Sequence, residues 1–573
     1  MLRALVDAAE RFRREGELPP TGYKPKVPKW IVNLEKGRPY LEGPYTQKEV
    51  RAFLAPDRQR SGTPSKKNLK PYLLSDDARY ALGKAEPGKE EEARLLHEGF
   101  LTLLEEAHRE TGLLELAQLL AFLKSSDVEQ IRERVGPRDL VQFRVEGKNL
   151  TEDGAVQAFW SEYLARELMA KNRAYCSICG KEGPVLRILP REVVVLGQKC
   201  QVSSFNRDAF TSFGKTQTEN APTCFTCGSD AVDALDYLIR AERHRRALVS
   251  NPEASGLENQ LAVFWLDKKV ELSYEDQTYD LETLLGSVLD NAGGQTGPPA
   301  ELSQLDSLLA VPWTARTSAL NIDQSCFYLA VLSANKGRMV VREWFEASVG
   351  RLRENLRAFL DGQRIVGPLG EEPQVFPIPA LLDALKAGDP NLTQDLLRAA
   401  YLGLRPREGL LGVALRRFRN PRVLQNHRAL HPLAALLKLA LTYEREEVKS
   451  MERLDSGRNE PAYLCGRLLA VLEEAQQRAS GWSLNSTLTD RFYAATAAAP
   501  AANLALLLAR AKVSHLPKIR REGRGYREIE GFLEEILSYL DAQQGFPSIL
   551  NLKAQAEFAL GYYHQRAEFR RKS

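Results

Sequence analysis

Two cysteine pairs carry the chemistry that this sequence displays most clearly. The segments Cys176-Ser-Ile-Cys179 and Cys224-Phe-Thr-Cys227 each place two thiols three positions apart, and a glycine follows each pair. Four thiolates in two such pairs are the ligand set of a tetrahedral structural zinc site, which leaves no position open for a catalytic water. We therefore predict one structural Zn2+ at the base of two tight hairpin turns. Its ligands are Cys176, Cys179, Cys224 and Cys227, with Cys200 as a reserve candidate.

The peptide between the two pairs becomes a loop held at its base by the metal. Its small, amide and basic side chains suit contacts in a nucleic-acid groove, and its phenylalanines can stack or wedge. The competing interpretation is structural, because phenylalanine is usually core and serine or asparagine often fills turns. The candidate DNA-binding residues of this loop are Lys199, Ser203, Ser204, Asn206, Arg207, Ser212, Phe213, Lys215, Gln217 and Asn220.

Basic clusters elsewhere favour further nucleic-acid contacts, although most such runs are solvated helix faces. The formal net charge of +4 is too small for this length to indicate a nucleic-acid binder by itself, so the distribution of charge matters more. A Gly/Pro-punctuated N-terminal stretch supplies candidate DNA contacts at Arg58, Arg60, Ser61, Lys66, Lys67 and Asn68. A C-terminal cluster supplies candidate contacts with a single strand or a guide at Lys512, Lys518, Arg520, Arg521 and Arg524.

The enzymatic motifs that this sequence partly matches each lack a required residue. Gly214-Lys215-Thr216 resembles the end of a phosphate-binding loop, but Ala209 stands where that motif needs a glycine. His427 and His431 have the spacing of a protease zinc motif, but Arg428 replaces the required glutamate, which favours core or helix-surface histidines. No clustered acidic pattern suits two catalytic metals. We expect no enzymatic activity.

Composition and patterning set the architecture. With 573 residues, the chain is too long to fold around a single hydrophobic core and should contain several domains. No apolar run approaches the roughly 20 residues that cross a bilayer, and seven cysteines fit metal binding in a reducing compartment, so we expect a cytoplasmic protein without membrane contact. The predicted fold class is α+β multidomain, with a mixed α/β N-terminal part that contains the structural four-cysteine zinc module and a C-terminal all-α helical bundle.

The expected elements follow from periodicity and turn signals. They are a helix over the first ~15 residues, a strand at 30–34, helices from about 90 to 175, a helix from about Ser229 through Arg240, strands at 262–266, 326–332 and 338–342, and a loop over 286–307. The expected domains are 1–172 as an N-terminal α+β region with candidate flanking-motif recognition, 173–230 as the zinc module, 231–374 as the rest of the mixed region, and 375–573 as the bundle.

The chain resembles one family over most of its length, the large subunit of the type I-C CRISPR Cascade effector complex. The resemblance begins in the run 203–215 between the cysteine pairs. It extends to Arg60-Ser61-Gly62, 71–76, 80–83, Asn220-Ala221-Pro222, 327–329, Gly337-Arg338, 341–344, 462–468, Asn485-Ser486-Thr487, 490–493 and 560–565. The zinc site is inferred from the cysteines of this sequence and not from the resemblance.

The resemblance implies a non-enzymatic subunit of an RNA-guided surveillance complex. Such a subunit recognises the protospacer-adjacent motif (PAM) in duplex DNA, aids duplex opening and recruits a helicase-nuclease; its partners are the guide CRISPR RNA, target double-stranded DNA and other Cascade subunits. Two alternatives remain open, a zinc-containing nuclease or guide-RNA-processing enzyme and an assembly scaffold that reads no bases. The family also implies a small helical subunit translated from an internal start, for which Met451 is the candidate, yielding a fragment 451–573.

Overall fold

The computed structural model describes most of the chain. The described residues are 1–46, 52–58, 60, 65, 68–205, 208–248, 260–274, 277–290, 299–310, 322–386, 389–443, 445–481, 484–542 and 545–571. They form two compact units, and each is treated separately below. The first unit contains residues 1–240 together with 334–340, and the second contains 241–333 together with 341–573.

The first unit mixes helices with small sheets. Its helices are α1 (Leu2–Arg14), α2 (Ala78–Ala81), α3 (Glu90–Thr111), α4 (Leu114–Leu123), α5 (Val128–Arg134), α6 (Gly154–Leu168) and α7 (Phe225–Arg240). Its strands are β1 (Tyr23–Lys26), β2 (Trp30–Glu35), β3 (Arg38–Glu42), β4 (Phe53–Pro56), β5 (Ser75–Asp77), β6 (Leu140–Val145), β7 (Met169–Tyr175), β8 (Glu182–Leu186), β9 (Val193–Val195) and β10 (Gln198–Cys200).

The main sheet of this unit has the order β3-β2-β6-β5, with β2 and β6 parallel and the outer pairs antiparallel. β6 lies in the stretch where helices alone were expected between about 90 and 175, so that expectation is wrong for 140–145 and for β7. The alternation of Val141, Phe143 and Val145, all buried, gives β6 its inward face. Helices α1 and α7 of this unit pack against each other, and the ring centres of Phe12 and Tyr237 lie 4.8 Å apart.

The second unit begins with an antiparallel sheet of order β11-β12-β15-β16. The strands of this sheet are β11 (Arg245–Ala247), β12 (Leu261–Leu266), β15 (Cys326–Asn335) and β16 (Arg338–Ser348), and β13 (Glu271–Tyr274) pairs with β14 (Gln277–Asp280) in a separate two-stranded sheet. All six residues of β12 are buried, which fits its central position. The predicted strands at 262–266, 326–332 and 338–342 are confirmed, and the turn between the last two belongs to the first unit.

Helices make up the rest of the second unit. They are α8 (Leu281–Gly286), α9 (Ala300–Ala310), α10 (Val349–Gln363), α11 (Ile378–Leu385), α12 (Pro390–Leu402), α13 (Glu408–Phe418), α14 (Pro421–Leu424), α15 (His427–Thr442), α16 (Pro461–Ser480), α17 (Leu488–Ala498), α18 (Pro500–Arg510), α19 (Leu516–Glu522), α20 (Tyr526–Ala542) and α21 (Leu552–Arg571). A π-helical turn, Ala511–His515, joins α18 to α19.

The coarse fold prediction is confirmed, because a mixed α/β N-terminal part precedes a helical C-terminal part. The loop expected over 286–307 is wrong at both ends, because Gly286 ends α8, a 3-10 turn covers Ser287–Leu289, and α9 begins at Ala300; residues 291–298 lie outside the described residues. The four domain boundaries stay a prediction. Within the described part of the chain, no helix combines the length and the apolar character that crossing a membrane requires.

Candidate metal centre and nucleic-acid interface

Four cysteine thiols converge in the first unit. The Sγ atoms of Cys176, Cys179, Cys224 and Cys227 all lie within 4.8 Å of one another. The Sγ atoms of Cys179 and Cys224 are 3.9 Å apart. Tetrahedral zinc with Zn–S bonds of about 2.3 Å requires sulfur separations of about 3.8 Å, so the donor set and its spacing fit a Zn2+ ion. The predicted clustering of the four cysteines is therefore confirmed.

The first pair sits in a hairpin turn, as predicted. β7 ends at Tyr175, β8 begins at Glu182, and the two strands pair antiparallel on either side of the turn. The Cys176 N–H donates to the Lys181 carbonyl at 2.9 Å, and the Gly180 N–H donates to the Cys176 carbonyl at 2.8 Å. Gly180 has φ +72°, a left-handed conformation that favours glycine. This turn brings Cys176 and Cys179 to one side of the hairpin.

The second pair does not form a hairpin, which corrects the prediction. Cys224 precedes α7 and Cys227 lies in its first turn, because the helix begins at Phe225 and not near Ser229. Gly228 is helical; a Cβ atom there would lie 2.4 Å from Cδ1 of Leu186, so this glycine serves close packing and not a tight turn. The positive end of the α7 dipole lies beside these thiols and favours their thiolate form.

The ionisation of the thiols differs within the cluster. Burial raises the pKa of Cys176, but backbone N–H groups of Cys179 and Cys224 outweigh it and the pKa falls to about 7. Burial raises the pKa of Cys224 and that of Cys227, with the neighbouring thiols adding to the rise. If all four ionise, the thiolates repel one another, and a bound cation would offset that repulsion. Cys200 lies outside this cluster, in β10, where its thiol donates to the Gln198 carbonyl at 3.4 Å.

A cleft of about 1070 Å3 lies next to the metal module. One wall is the segment after β10, and the other is the tip of the β15–β16 hairpin, Asn335-Lys336-Gly337-Arg338. The backbone of Gln201 joins the walls, since its N–H donates to the Gly337 carbonyl at 3.0 Å and its carbonyl accepts from the Met339 N–H at 3.2 Å. The polar and charged side chains along the cleft are those of Arg187, Glu192, Gln201, Ser203, Ser204, Gln217, Thr218, Asn335, Lys336 and Arg338.

The charge of this cleft is predominantly positive. Arg187 is exposed and has no ion-pair partner among the described residues, and the same holds for Lys336 at the hairpin tip. The guanidinium of Arg338 lies 4.8 Å from the ring centre of Phe210, which fixes it at the cleft wall. Glu192 is the acidic residue that lines the cleft, and it accepts from the Gln201 side chain at 3.1 Å. The cleft therefore combines cations available to a ligand with small polar groups.

Only some of the predicted loop residues lie at the cleft. Ser203, Ser204 and Gln217 line the cleft, whereas Ser212 and Lys215 are exposed and joined by a backbone hydrogen bond of 2.9 Å. Phe213 is 99% exposed with φ +50°, so it belongs to no core.

The remaining loop residues have other positions. Asn220 stabilises a turn, because its side-chain amide donates to the carbonyls of Lys215 and Gln217 at 3.1 and 3.0 Å. Lys199 lies exposed on β10. Asn206 and Arg207 lie outside the described residues.

The N-terminal candidates are engaged within the protein. Arg58 forms an ion pair with Glu167, and Arg60 forms one with the buried Asp76. The Arg60 guanidinium also lies over the rings of Tyr72 and Tyr80, at 3.7 and 4.3 Å from their centres. Burial raises the pKa of Asp76 to about 6, against the opposing charge of Arg60. Asn68 is half-buried, and Ser61, Lys66 and Lys67 lie outside the described residues.

The C-terminal candidates share one basic surface of the second unit. Lys512, Arg520 and Arg521 are exposed and line a shallow cavity of about 690 Å3 with Tyr526. Lys518 lies half-buried on α19 between them. Arg524 donates to the Arg478 carbonyl at 2.8 Å and pairs with Glu522 at 3.1 Å. The structure thus brings Lys512, Arg520 and Arg521 together and directs Arg524 to a helix end.

The sequence patterns did not single out Arg187, Lys336 and Arg338 as functional. The signal that could have found the hairpin tip was present, because a basic Asn-Lys-Gly-Arg turn between two strands exposes its cations. Lys336 and Gly337 both have positive φ, at 48° and 81°, as in a tight two-residue hairpin turn. The sequence did not reveal that this turn lies against the segment between the two cysteine pairs, which is more than 100 positions earlier in the chain.

Comparison with known families gives the class of this protein: it is a CRISPR-associated protein. Residues 5–570 match the family model described as CRISPR-associated protein (Cas_Csd1), so this chain belongs to the Cas_Csd1 family. No curated protein matches the chain. The family resemblance found in the sequence is thereby confirmed at the level of the family.

Proposed function

We propose that this chain is the large subunit of a type I-C CRISPR Cascade complex, that it recognises the PAM in duplex DNA, and that it has no catalytic activity of its own. In this role it aids duplex opening and recruits the helicase-nuclease, with the guide CRISPR RNA, target DNA and other Cascade subunits as partners. Family membership supports the CRISPR context. The observation that carries the DNA-reading role is the basic cleft beside the four-cysteine cluster.

The contents of the cleft match the two tasks of a reader of short motifs. Pairing with the guide RNA reads the long target sequence, so the protein needs only a few base contacts beside it. Phosphate contacts fix the register, and Arg187 and Lys336 supply cations for them. Hydroxyl and amide groups select base edges, and Ser203, Ser204 and Gln217 supply these.

The metal serves this function by holding the reading segment in place. Zn2+ bound by the four thiolates is a structural cross-link without an open coordination position. It ties the hairpin of β7 and β8 to the first turn of α7, and the peptide that lines the cleft runs between those anchors. Loss of the metal therefore loosens the cleft and leaves the second unit folded.

The two outlying basic clusters have different roles in this proposal. The exposed cations Lys512, Arg520 and Arg521 and their neighbour Lys518 contact the guide or the displaced strand through phosphates. Arg58 and Arg60 already hold carboxylates, so either one contacts DNA only when a phosphate supplements or replaces its protein partner. Their present pairs also stabilise the N-terminal region.

The test is binding of the reconstituted guide complex to duplexes that differ only in the flanking motif. A PAM reader binds one flanking sequence at least tenfold more tightly than the others, because each good base contact discriminates by ~1–3 kcal/mol. Equal affinity for every flank would indicate an assembly scaffold. Cleavage of the duplex or of a guide precursor by the purified chain would indicate the enzyme alternative.

A further inference from the structure

A second, smaller cavity lies beside the cleft in the first unit. Its volume is about 230 Å3, below the 300–1,000 Å3 typical of sites for drug-sized ligands, so it suits one small chemical group. Five parts of the chain line it: residues 21–23, the region of Arg58 and Lys70, the end of α6, the segment from Arg187 to Arg191 after β8, and the start of α7 at Phe225 and Ser229. No sequence pattern predicted this convergence.

Several hydrogen-bonding groups around this cavity have no partner among the described residues. They are the Nη1 group of Arg58, the Nε of Arg191, the hydroxyl of Ser229 and the hydroxyl of Tyr23. The Arg58 side chain is only 6% exposed, and Ser229 is only 3% exposed. A buried polar group without a partner is costly, so such a concentration among the residues that line one cavity favours a ligand that accepts hydrogen bonds.

The charges around the cavity favour an anion. Its acidic residues are already matched by cations: Asp57 pairs with Lys24 and Lys26, Glu167 with Arg58, and Asp233 with Arg191. Lys70 and Arg187 remain, and neither has an ion-pair partner in the part of the chain that the structure describes.

Position connects this cavity to the cleft. Arg187 and Ile188 line both, so the two spaces adjoin at this pair of residues. A strand that lies in the cleft therefore lies close to the residues that border the smaller cavity. Of the groups that a nucleic acid offers, the phosphate is the small anion that accepts several hydrogen bonds at once.

We propose that the cavity formed by Arg58, Lys70, Arg187, Arg191 and Ser229 is a phosphate-binding pocket, and that it holds one backbone phosphate of the strand in the cleft. Binding of phosphate itself follows from the pocket alone, whereas the strand as its source rests on the proposed function. The pocket fixes the register of the nucleic acid without reading its sequence. A phosphate in the pocket also gives a partner to the Nη1 group of Arg58, which stays unpaired while the same side chain bonds Glu167.

The first experiment uses inorganic phosphate as the probe. The zinc-loaded full chain is titrated with sodium phosphate against sodium chloride of equal ionic strength, followed by 31P NMR line width and thermal shift. We expect saturable binding that Ser229→Ala and Lys70→Gln each weaken about tenfold, since a hydrogen bond to a charged group is worth roughly that factor or more. The matched control Lys181→Gln, an exposed cation of the same module outside both cavities, leaves binding unchanged.

Ser229→Ala also separates ligand binding from folding. Because the hydroxyl has no partner in the described part of the protein, its removal should not lower the Tm of the free chain. The phosphate-binding role would be overturned if wild type, Ser229→Ala and Lys70→Gln had equal phosphate affinity, or if none of them bound phosphate saturably. The cavity would then hold only water.

The second experiment tests the source of the phosphate in the reconstituted guide complex. Ser229→Ala and Lys70→Gln should weaken all duplexes by the same factor, and Lys70→Gln should also lower the salt dependence by about one ion. Phosphate binding that depends on the pocket without any effect on duplex affinity would overturn the strand as the source. If instead the wild-type complex fails to distinguish flanking motifs while the variants still weaken every duplex, PAM reading fails and the phosphate pocket stands.

Discussion

Gly466 lies directly against the backbone of Phe558, because a Cβ atom at Gly466 would be 2.0 Å from the Phe558 carbonyl oxygen. The relationship is reciprocal: a Cβ at Gly561 would be 2.1 Å from the carbonyl oxygen of Tyr463. Helices α16 and α21 therefore cross at a pair of glycines with their backbones in contact. The approach buries Tyr463, Tyr562 and Tyr563 around the crossing and makes this helix pair the centre of the bundle.

Replacement of Gly466 by alanine should strongly destabilise the second unit. The contacting atom is a backbone carbonyl, which cannot move away as a flexible side chain could, so the helices must separate. We expect a loss of at least ~1–3 kcal/mol in the free energy of unfolding, measured by urea denaturation. The control is Gly531→Ala on α20, where nothing lies within 4 Å and alanine should stabilise by up to about 1 kcal/mol. Equal effects of the two substitutions would contradict the close crossing.

This crossing shows what the sequence could and could not predict. The segments 462–468 and 560–565 were recognised as family-like, and their helical periodicity was evident. Neither segment shows that its glycine packs against the backbone of the other helix. Helix partners about 100 positions apart leave no local signal in the sequence. The same division holds for the metal site. The four ligands followed from local spacing, whereas the helical setting of Cys227 and the hairpin tip at Lys336 depend on tertiary packing.

The proposed zinc site predicts one metal ion per chain and the loss of that ion when a cysteine ligand on helix α7 is replaced. Cys227→Ser should abolish stoichiometric zinc in natively prepared protein, measured by elemental analysis, and should increase protease sensitivity between 180 and 224. Cys200→Ser is the control, since that thiol lies outside the cluster and should leave zinc content at one. Wild-type protein without zinc, or a Cys200→Ser variant that loses it, would refute the assignment.

The two walls of the cleft should differ in their effect on DNA binding. Lys336→Gln removes a cation from the hairpin tip, so it should weaken all duplexes and reduce the salt dependence by about one ion. Gln217→Asn shortens a cleft-lining amide and keeps a residue that tolerates φ near +43°, so it should weaken the preferred flank by ~1–3 kcal/mol and the others little. Binding isotherms at several salt concentrations measure both. Identical changes in affinity and in salt dependence for the two variants would contradict the roles assigned to Lys336 and Gln217.

Acid should destabilise the second unit through two buried histidines. Burial lowers the pKa of His431 to about 4 and that of His564 to about 3, the latter with help from nearby cations. Both values lie below the unfolded value of about 6.5, so the unfolded state binds more protons and stability falls as pH drops from about 6.5 toward 4. Each histidine contributes up to about 1.4 kcal/mol per pH unit in that window. His564→Gln should make the measured slope shallower by up to one proton, whereas His108→Gln in the first unit should not.

The segment from Met451 onward is proposed to be made also as a separate product, and the structure sets a condition on that product. Met451 is buried, and within the full chain Tyr563 donates to the Val366 carbonyl at 2.7 Å while the Glu452 carbonyl accepts from the Val366 N–H at the same distance. A fragment 451–573 lacks those partners but keeps the crossing of α16 and α21 intact, so it should fold as a helical bundle with lower stability than the full chain. The codons of Glu446-Glu447-Val448 can contain a purine-rich ribosome-binding sequence just upstream of Met451. Their silent recoding, which leaves the protein unchanged, should abolish the fragment in intact mass spectra of cells expressing the gene. Recoding codons 431–433 in the same way is the control and should leave the fragment in place. Absence of the fragment before any recoding would show that Met451 is an ordinary core residue of this chain alone.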